Sequence, residues 1–204
     1  MKDKQLHDLI LQSLEHEMGG VKVYETALKC VINEDLKEEW MKYLEQTREH
    51  VETLRGVCET FGLDPNEDVP SRKIVKTVGA ALVKAMQMAL DAGNAEAAEL
   101  VACESVVIAE TKDHADWELL RKCAKKLAGS KATALTKACD EVEEQEDEHL
   151  YHSKGWCREL WMQSLGLPPV LPPPEERKNV KTAIGASRAE QAAEKTRKRA
   201  STKR

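Results

Sequence analysis

The first part of the chain contains two long stretches of helical periodicity with one break between them. From Lys4 to Ile32, apolar side chains recur at intervals of three and four residues, the spacing of one face of an α-helix. Asn33, followed by two acidic residues, is typical of a helix N-cap and first turn, and a second periodic stretch runs from there to about Phe61. Two long helices joined by so short a connection must lie antiparallel, so the sequence predicts a helical hairpin.

Further helices are predicted over the rest of the chain. Ser71 to Leu90 is an amphipathic stretch that follows a turn-rich linker, and another helix begins near Ala95. The segment DHADWELLRKCAKKLAGS predicts a separate, shorter helix ended by Gly129, and the last long helix runs from about Lys131 to Leu165. With 41% hydrophobic residues but only one Phe and three Tyr, the composition favours helix over sheet. We therefore expect an all-α protein with four long helices and two connecting ones.

The formal net charge of -5 is unevenly distributed along the chain. From Pro169 onward, ten Lys or Arg stand against four Asp or Glu, which gives this end a net charge of +6 and leaves -11 for residues 1 to 168. The prolines of LPPVLPPPEERK end any helix, and the residues that follow have no apolar stripe to bury. We expect a helical bundle over residues 1–167, then a Pro-rich linker and a basic, flexible tail over residues 168–204.

The sequence predicts neither a signal peptide nor a membrane span. The chain begins with the charged residues MKDKQLHDL, and no run of about eighteen uncharged apolar residues occurs. Six cysteines are scattered, form no C-x-x-C and mostly fall on helical apolar stripes, which is typical of reduced core residues. We therefore expect a cytoplasmic protein with no membrane partner.

Each long helix carries polar residues where its apolar stripe passes the middle of the helix. Glu17 interrupts the stripe of the first helix, and Thr47 and His50 occupy inward positions of the second. The polar candidates on the other two long helices are Glu104, Glu146 and His149. Glu17 and His50 each lie about sixteen residues from the turn, which at a rise of 1.5 Å per residue places both roughly 25 Å from it. These two side chains should face each other.

Several carboxylates inside a bundle need a compensating cation, because an unpaired buried charge costs several kcal/mol. No Lys or Arg falls on these stripe positions, and carboxylate with neutral imidazole is a ligand set that suits iron, manganese or zinc. Taken singly, each residue has an ordinary explanation, since E-x-x-H on a charged helix is commonly solvated and a core histidine is commonly hydrogen-bonded. Five such residues on four helices favour a metal site formed by Glu17, His50, Glu104, Glu146 and His149.

The constellation resembles the ferritin-like di-metal carboxylate superfamily over roughly residues 4 to 166. Three strings are similar to the YciE/YciF-type bacterial stress-associated ferritin-like proteins: HEMGGVKVYETAL, in which Tyr24 follows Glu17 by seven residues, YLEQTREHVETLRGVCETFG, and ESVVIAET. The resemblance implies an up-down four-helix bundle with a long crossover connection that carries an extra helix. It also implies one or two ions of iron or manganese at the bundle centre, and a homodimer.

The chain departs from the family pattern at Thr47, which stands where the second helix of the family carries the Glu of E-x-x-H. The predicted ligands therefore offer one negative charge fewer than two divalent ions require. Hydroxide or oxide, an inward movement of Glu45 or Glu49, or the binding of a single ion would make up the difference. A normal ferroxidase rate does not follow from the resemblance.

Two functions remain open from the sequence. The first is a metal-binding ferritin-like protein that consumes oxidants, or acts like a ferroxidase, in a stress response; whether it is an enzyme is left open. The second is a non-enzymatic interaction protein on the same scaffold, whose basic tail contacts nucleic acid or another anionic partner through charge attraction. Terminal charge runs usually serve solubility, and the tail lacks aromatic residues that stack on bases, so nucleic acid is the less favoured partner.

Overall fold

The computed structural model describes residues 2 to 170, which form five α-helices and their short connections. The helices are α1 (Asp3–Cys30), α2 (Glu34–Phe61), α3 (Pro70–Asp91), α4 (Ala95–Ala124) and α5 (Gly129–Ser164). The expectation of an all-α bundle is confirmed. The predicted basic tail falls almost wholly on residues 171–204, which lie outside the described residues. Within residues 2 to 170, no helix combines the length and the apolar character needed to cross a membrane.

Local signals in the sequence set the helix ends in the first half of the chain. The Asn33 side chain accepts a hydrogen bond from the backbone N–H of Leu36 at 3.0 Å, which caps the start of α2. Gly62 ends the same helix in the left-handed conformation, with φ of 69°, which glycine adopts without steric cost. The predicted hairpin of α1 and α2 follows, because only Val31, Ile32 and Asn33 connect the two helices.

The predicted separate helix before the last one is wrong. The residues of DHADWELLRKCA continue α4 without interruption from Ala95 to Ala124, and a short connection then leads to Gly129, the first residue of α5. No glycine or proline occurs between Asn94 and Leu127, so nothing in this stretch breaks the helix. Residues 2 to 170 therefore contain one connecting helix, α3, and not two.

Four helices form a ring, and the fifth lies outside it. α1 packs against α2 and α4, and α5 packs against the same two helices, which closes the ring α1–α2–α5–α4. α3 packs on the outside, against α1 and α4. Because α2 and α4 are diagonal in the ring, α3 spans the distance between the end of one and the start of the other.

The hydrophobic core is divided into two clusters along the ring axis, which we call the upper and lower clusters. α1 contributes buried residues between positions 23 and 30 to the upper cluster and between positions 6 and 14 to the lower. α5 contributes positions 156 and 160 to the upper cluster and positions 135 to 142 to the lower. The positions between these segments include Glu17 on α1 and Glu146 and His149 on α5. The polar candidates therefore lie between two apolar layers.

A buried ion pair attaches the start of α3 to α1. Arg72 donates through Nε and Nη2 to Glu15 Oε2 at 3.1 and 2.6 Å, and both side chains are about 10% exposed. The Nη1 group of Arg72 also donates to the backbone carbonyls of Pro65 and Glu67, at 2.6 and 3.1 Å. One guanidinium thus satisfies a buried carboxylate and two carbonyls of the α2–α3 connection.

Replacing Arg72 by methionine is expected to lower the free energy of unfolding by about 3 kcal/mol, because Glu15 would remain buried without a partner. Urea denaturation of the metal-free protein measures the effect. The matched control is Arg55→Met, which removes an exposed pair with Glu52 and should cost no more than about 1 kcal/mol. Equal losses in the two variants would contradict the role given to Arg72.

Candidate metal centre

The structure brings four of the five predicted site residues together at the middle of the ring. Glu17 of α1 is 0% exposed, His50 of α2 is 2% exposed, and Glu146 and His149 of α5 are 1% and 0% exposed. Glu17 and His50 face each other across the α1–α2 pair, at the height that the length of the hairpin predicts. The spacing of three residues places Glu146 and His149 on one face of α5.

The fifth predicted residue, Glu104, is not part of this group. Its side chain is exposed on α4 and accepts a hydrogen bond from Trp161 Nε1 at 3.0 Å. Glu104 shares its face of α4 with Ile108, one turn later, and Ile108 is 54% exposed. Most buried positions of α4 near Glu104 carry small side chains, and larger apolar side chains lie on its surface. The large residues therefore indicated the wrong inward face of the helix.

Glu110 takes the place that was predicted for Glu104. It lies on the buried face of α4, is 4% exposed, and approaches His149. The sequence contained a signal for it: counting back from Trp117 and Leu120 in steps of three and four reaches Asp113 and Glu110. That signal was missed because the segment was assigned to a separate helix. We call Glu17, His50, Glu110, Glu146 and His149 the Glu/His cluster.

The cluster contains two groups of three potential ligands that share one residue. His50 Nδ1 lies 3.4 Å from Glu17 Oε1 and 3.2 Å from Glu146 Oε1, which forms the first group. His149 Nδ1 lies 3.6 Å from Glu110 Oε2 and 3.6 Å from Glu146 Oε1, which forms the second. In each group the ligand atoms all lie within 4.8 Å of one another. Glu146 belongs to both groups, so its carboxylate lies between the two histidines.

Two glutamines orient the histidines so that Nδ1 points into the cluster. His50 Nε2 lies 2.8 Å from Gln145 Oε1, and His149 Nε2 lies 3.0 Å from Gln46 Oε1. An amide oxygen only accepts hydrogen bonds, so with these amide orientations the proton of each ring sits on Nε2 and is donated outward. When the ring is neutral, as in metal binding, Nδ1 then offers a lone pair to the cluster. Sequence reasoning missed both glutamines, because a polar residue beside an inward position has no distinctive pattern.

The atoms that face one another inside the cluster are carboxylate oxygens and imidazole nitrogens. Those that are buried and have no hydrogen-bond partner are Glu17 Oε2, His50 Nδ1, Glu110 Oε2, both carboxylate oxygens of Glu146, and His149 Nδ1. Each unsatisfied buried group costs about 1–3 kcal/mol, and charged groups cost more. Lone pairs from three carboxylates and two imidazoles converge, so a proton or a cation must lie between them to offset the repulsion.

The proton affinities of these groups reflect the same arrangement. Burial raises the pKa of Glu146 to about 7, and the neighbouring carboxylate of Glu110 adds to the rise. Burial disfavours the charged form of His50, but the carboxylates of Glu17 and Glu146 outweigh it and raise its pKa to about 11. Burial alone would raise the pKa of Glu110, but His149 outweighs it and lowers that pKa. Without a metal ion, protons therefore stabilise the cluster.

Thr47 has no ligand role, and a different carboxylate lies near the cluster. Thr47 is buried and donates from Oγ1 to the carbonyl of Tyr43, one turn earlier in α2, at 2.8 Å. Asp113, one turn after Glu110 on α4, is 5% exposed, and its Oδ1 has no hydrogen-bond partner. Burial, followed by the charges of Glu146 and Glu17, raises the pKa of Asp113 well above its usual range. Glu45 and Glu49, whose inward movement was one of three alternatives for the missing charge, are both exposed.

Aromatic side chains surround the cluster and hold its carboxylates and rings in position. Trp117 Nε1 donates to Glu17 Oε1 at 2.8 Å. The Tyr43 ring centroid lies 4.2 Å from that of His149, and the Tyr43 hydroxyl donates to Glu39 Oε1 at 2.7 Å. Tyr24 also packs edge-on against His149, with ring centroids 6.2 Å apart. These contacts leave the cluster atoms little freedom to relax away from one another.

The chain has no match among known proteins in three comparisons. No protein-family model matches it, and neither curated proteins nor solved structures gave a match. The ferritin-like resemblance therefore stays a prediction. The case for metal binding rests on the geometry of the Glu/His cluster.

Proposed function

We propose that the protein is a ferritin-like metal protein that binds two divalent ions of iron or manganese in the Glu/His cluster. Glu17, His50 and Glu146 would hold one ion, and Glu110, Glu146 and His149 would hold the other. Glu146 would contribute to both groups, because its carboxylate lies near both histidines. The ring of α1, α2, α5 and α4, with α3 as the crossover, is consistent with the fold that the resemblance implies.

One observation carries this proposal: six buried nitrogen and oxygen atoms from four helices converge in the Glu/His cluster without a hydrogen-bond partner. A purely structural polar cluster would pair such atoms with donors such as Lys, Arg or Asn, because unsatisfied buried groups are costly. A cation satisfies all of these lone pairs at once. The outward hydrogen bonds of His50 and His149 to glutamine are the outer contacts that metal-binding histidines usually make.

The charge of the buried residues suits two divalent ions. Glu17, Glu110 and Glu146 supply three negative charges. Burial and the neighbouring carboxylates raise the pKa of Asp113 and favour its neutral form, so Asp113 would supply a fourth charge only when bound cations draw off its proton. In that case it would make up for the carboxylate that is missing at Thr47. Neutral imidazole with carboxylate oxygen suits iron and manganese, whereas structural zinc sites are usually built from cysteine and histidine.

Bound iron or manganese would supply redox chemistry toward dioxygen or peroxide, which fits an oxidant-consuming role in a stress response. Side chains around the cluster hold the proposed ligands in fixed orientations. Trp117 keeps Glu17 in one orientation through its indole N–H, and the stacked Tyr43 ring limits the motion of His149. The Tyr43 hydroxyl donates a hydrogen bond to Glu39, so this carboxylate is positioned to accept the hydroxyl proton.

Anaerobic titration with Fe(II), followed by elemental analysis after gel filtration, tests the proposal. We expect two ions per chain in the unmodified protein and one ion in Glu110→Gln, because only the second group contains Glu110. Negligible metal in the unmodified protein would contradict metal binding and would favour the alternative function, an interaction protein with a basic tail. Two ions in Glu110→Gln would contradict the assignment of that residue as a ligand.

A further inference from the structure

A pocket between α4 and α5 opens at the surface and has one residue of the Glu/His cluster, Glu146, in its wall. Its volume is about 210 Å³, which is room for several water molecules. The inner part of its wall includes Glu146, which is 1% exposed and has both carboxylate oxygens without a hydrogen-bond partner. Trp117, the hydrogen-bond donor to Glu17, also lines the pocket. Two side chains of the pocket wall thus belong to the cluster or touch it directly.

The outer part of the pocket carries an excess of negative charge. Glu118, Glu143 and Asp147 line it, and all three side chains are exposed. The one guanidinium in the wall, Arg121, is shared between Glu143 and Asp140. His114 Nε2 lies 2.9 Å from Asp147 Oδ1, so a nitrogen and an oxygen ligand are adjacent at this level. A cleft lined by one sign of charge raises the local concentration of oppositely charged ions.

Three other surface pockets in residues 2 to 170 have no residue of the Glu/His cluster in their walls. One of them, lined by residues of α2 and α5, contains Glu141 and lies against the lower apolar cluster, on Val57 and Ala138. A second, between α1, α3 and α4, is lined largely by Gly, Val and other apolar residues. Neither offers a polar path to buried ligands.

We propose that the pocket between α4 and α5 is the route by which divalent cations reach the buried Glu/His cluster, with Glu143 and Asp147 attracting the cation and Glu146 receiving it. This inference rests on the proposed function, because it assigns the access route of the same site. Partly hydrated ions enter at the exposed carboxylates and exchange water for the free oxygens of Glu146.

Two variants of α5 separate the route from the general charge of the protein. Glu143→Lys and Glu141→Lys change the net charge equally, and both glutamates are exposed, at 64% and 52%, and paired with one basic residue each. Only Glu143 lines the proposed route. Stopped-flow absorbance with Co(II) at low ionic strength measures the rate of uptake, and equilibrium titration measures the number of ions bound.

We expect Glu143→Lys to slow Co(II) uptake by about tenfold, with an unchanged number of ions at equilibrium, and Glu141→Lys to stay within about twofold of the unmodified protein. The rate of the unmodified protein should fall as salt is added, and the rate of Glu143→Lys should change less. If Glu143→Lys fails to fold, Asp147→Lys is expected to give the same result.

Equal rates in Glu143→Lys and Glu141→Lys, whether both slow or both normal, would overturn the route and leave the proposed function standing. A protein that takes up no Co(II) before any substitution would overturn both. A slow rate confined to the pocket variants would support the route.

Discussion

Replacement of Glu146 by glutamine is expected to abolish metal binding at both halves of the Glu/His cluster. Glu146 Oε1 lies 3.2 Å from His50 Nδ1 and 3.6 Å from His149 Nδ1, so one carboxylate serves both groups. Glutamine keeps the shape of the side chain but removes its charge and replaces one oxygen by an N–H donor. The affinity for Fe(II) should therefore fall by about 100-fold or more, and neither ion should remain after gel filtration.

The matched control for this prediction is Glu104→Gln, which makes the same chemical change on the exposed face of α4. Glu104 accepts a hydrogen bond from Trp161 and lies outside the cluster, so this variant should retain both ions.

Circular dichroism checks that the metal-free variants are folded. Glu146→Gln should melt at the same temperature as the unmodified metal-free protein or above it, because the substitution relieves repulsion among buried carboxylates. Normal metal content in Glu146→Gln would contradict the shared-ligand geometry.

The metal-free protein is expected to lose stability as the pH rises from about 5 to 8. The pKa of Glu146 is raised by burial to about 7 in the folded state, from an ordinary value of 4.5. The folded state therefore binds this proton more tightly than the unfolded state, and the resulting stability is complete below pH 4.5 and lost as the pH rises through 7. The loss is about 3 kcal/mol, at 1.36 kcal/mol for each unit of pKa.

His50 acts in the same direction over a higher range. Its pKa is raised to about 11, so the stability that its extra proton contributes is present below its ordinary value of 6.5 and declines up to about pH 11. The pKa of Glu110 is lowered, so the stability from its ionised form is present above its ordinary pKa of 4.5 and is lost in more acidic solution. Together these groups place the maximum stability of the metal-free protein near pH 5.

Thermal melts of metal-free protein between pH 5 and 8, repeated after anaerobic Fe(II) loading, measure this effect. Metal binding needs deprotonated ligands, so the loaded protein should gain stability with rising pH where the metal-free protein loses it. A free Fe(II) concentration of about 1,000 times the dissociation constant adds about 4 kcal/mol per site. In Glu146→Gln, the fall between pH 5 and 7 should be much smaller because glutamine does not titrate. A melting temperature of the metal-free protein that rises steadily with pH would contradict the prediction.

The helical hairpin and the partners Glu17 and His50 were predictable from local information. Both helices carry apolar residues at intervals of three and four over their whole length, apart from these polar positions, and the Asn33 cap marks the turn from which both distances are counted. Because the rise per residue of an α-helix is constant, equal distances from the turn place two side chains opposite each other. Glu146 and His149 were predictable for a related reason, since Val142 and Trp156 define the inward face of α5 on either side of them.

The rotation of α4 was not predictable in the same way. Its buried face carries alanines, Cys103 and Val106, whereas Val107 and Ile108 are more exposed, so side-chain size pointed to the wrong face. α4 contacts α1, α3 and α5, and the close approach of these neighbours selects small residues on its inner side. That rotation decides that Glu110, and not Glu104, faces His149.

The sequence by itself determined the helical class of the protein, most helix boundaries and four of the five residues of the Glu/His cluster, because periodicity and capping are local properties of the chain. Only the tertiary structure decided the choice of Glu110, the outward hydrogen bonds of the histidines to Gln46 and Gln145, the position of Asp113, and the pocket that leads to Glu146. Each of these depends on how one helix is rotated against another. That rotation is set by the packing of all the side chains between them, and no single helix contains the information.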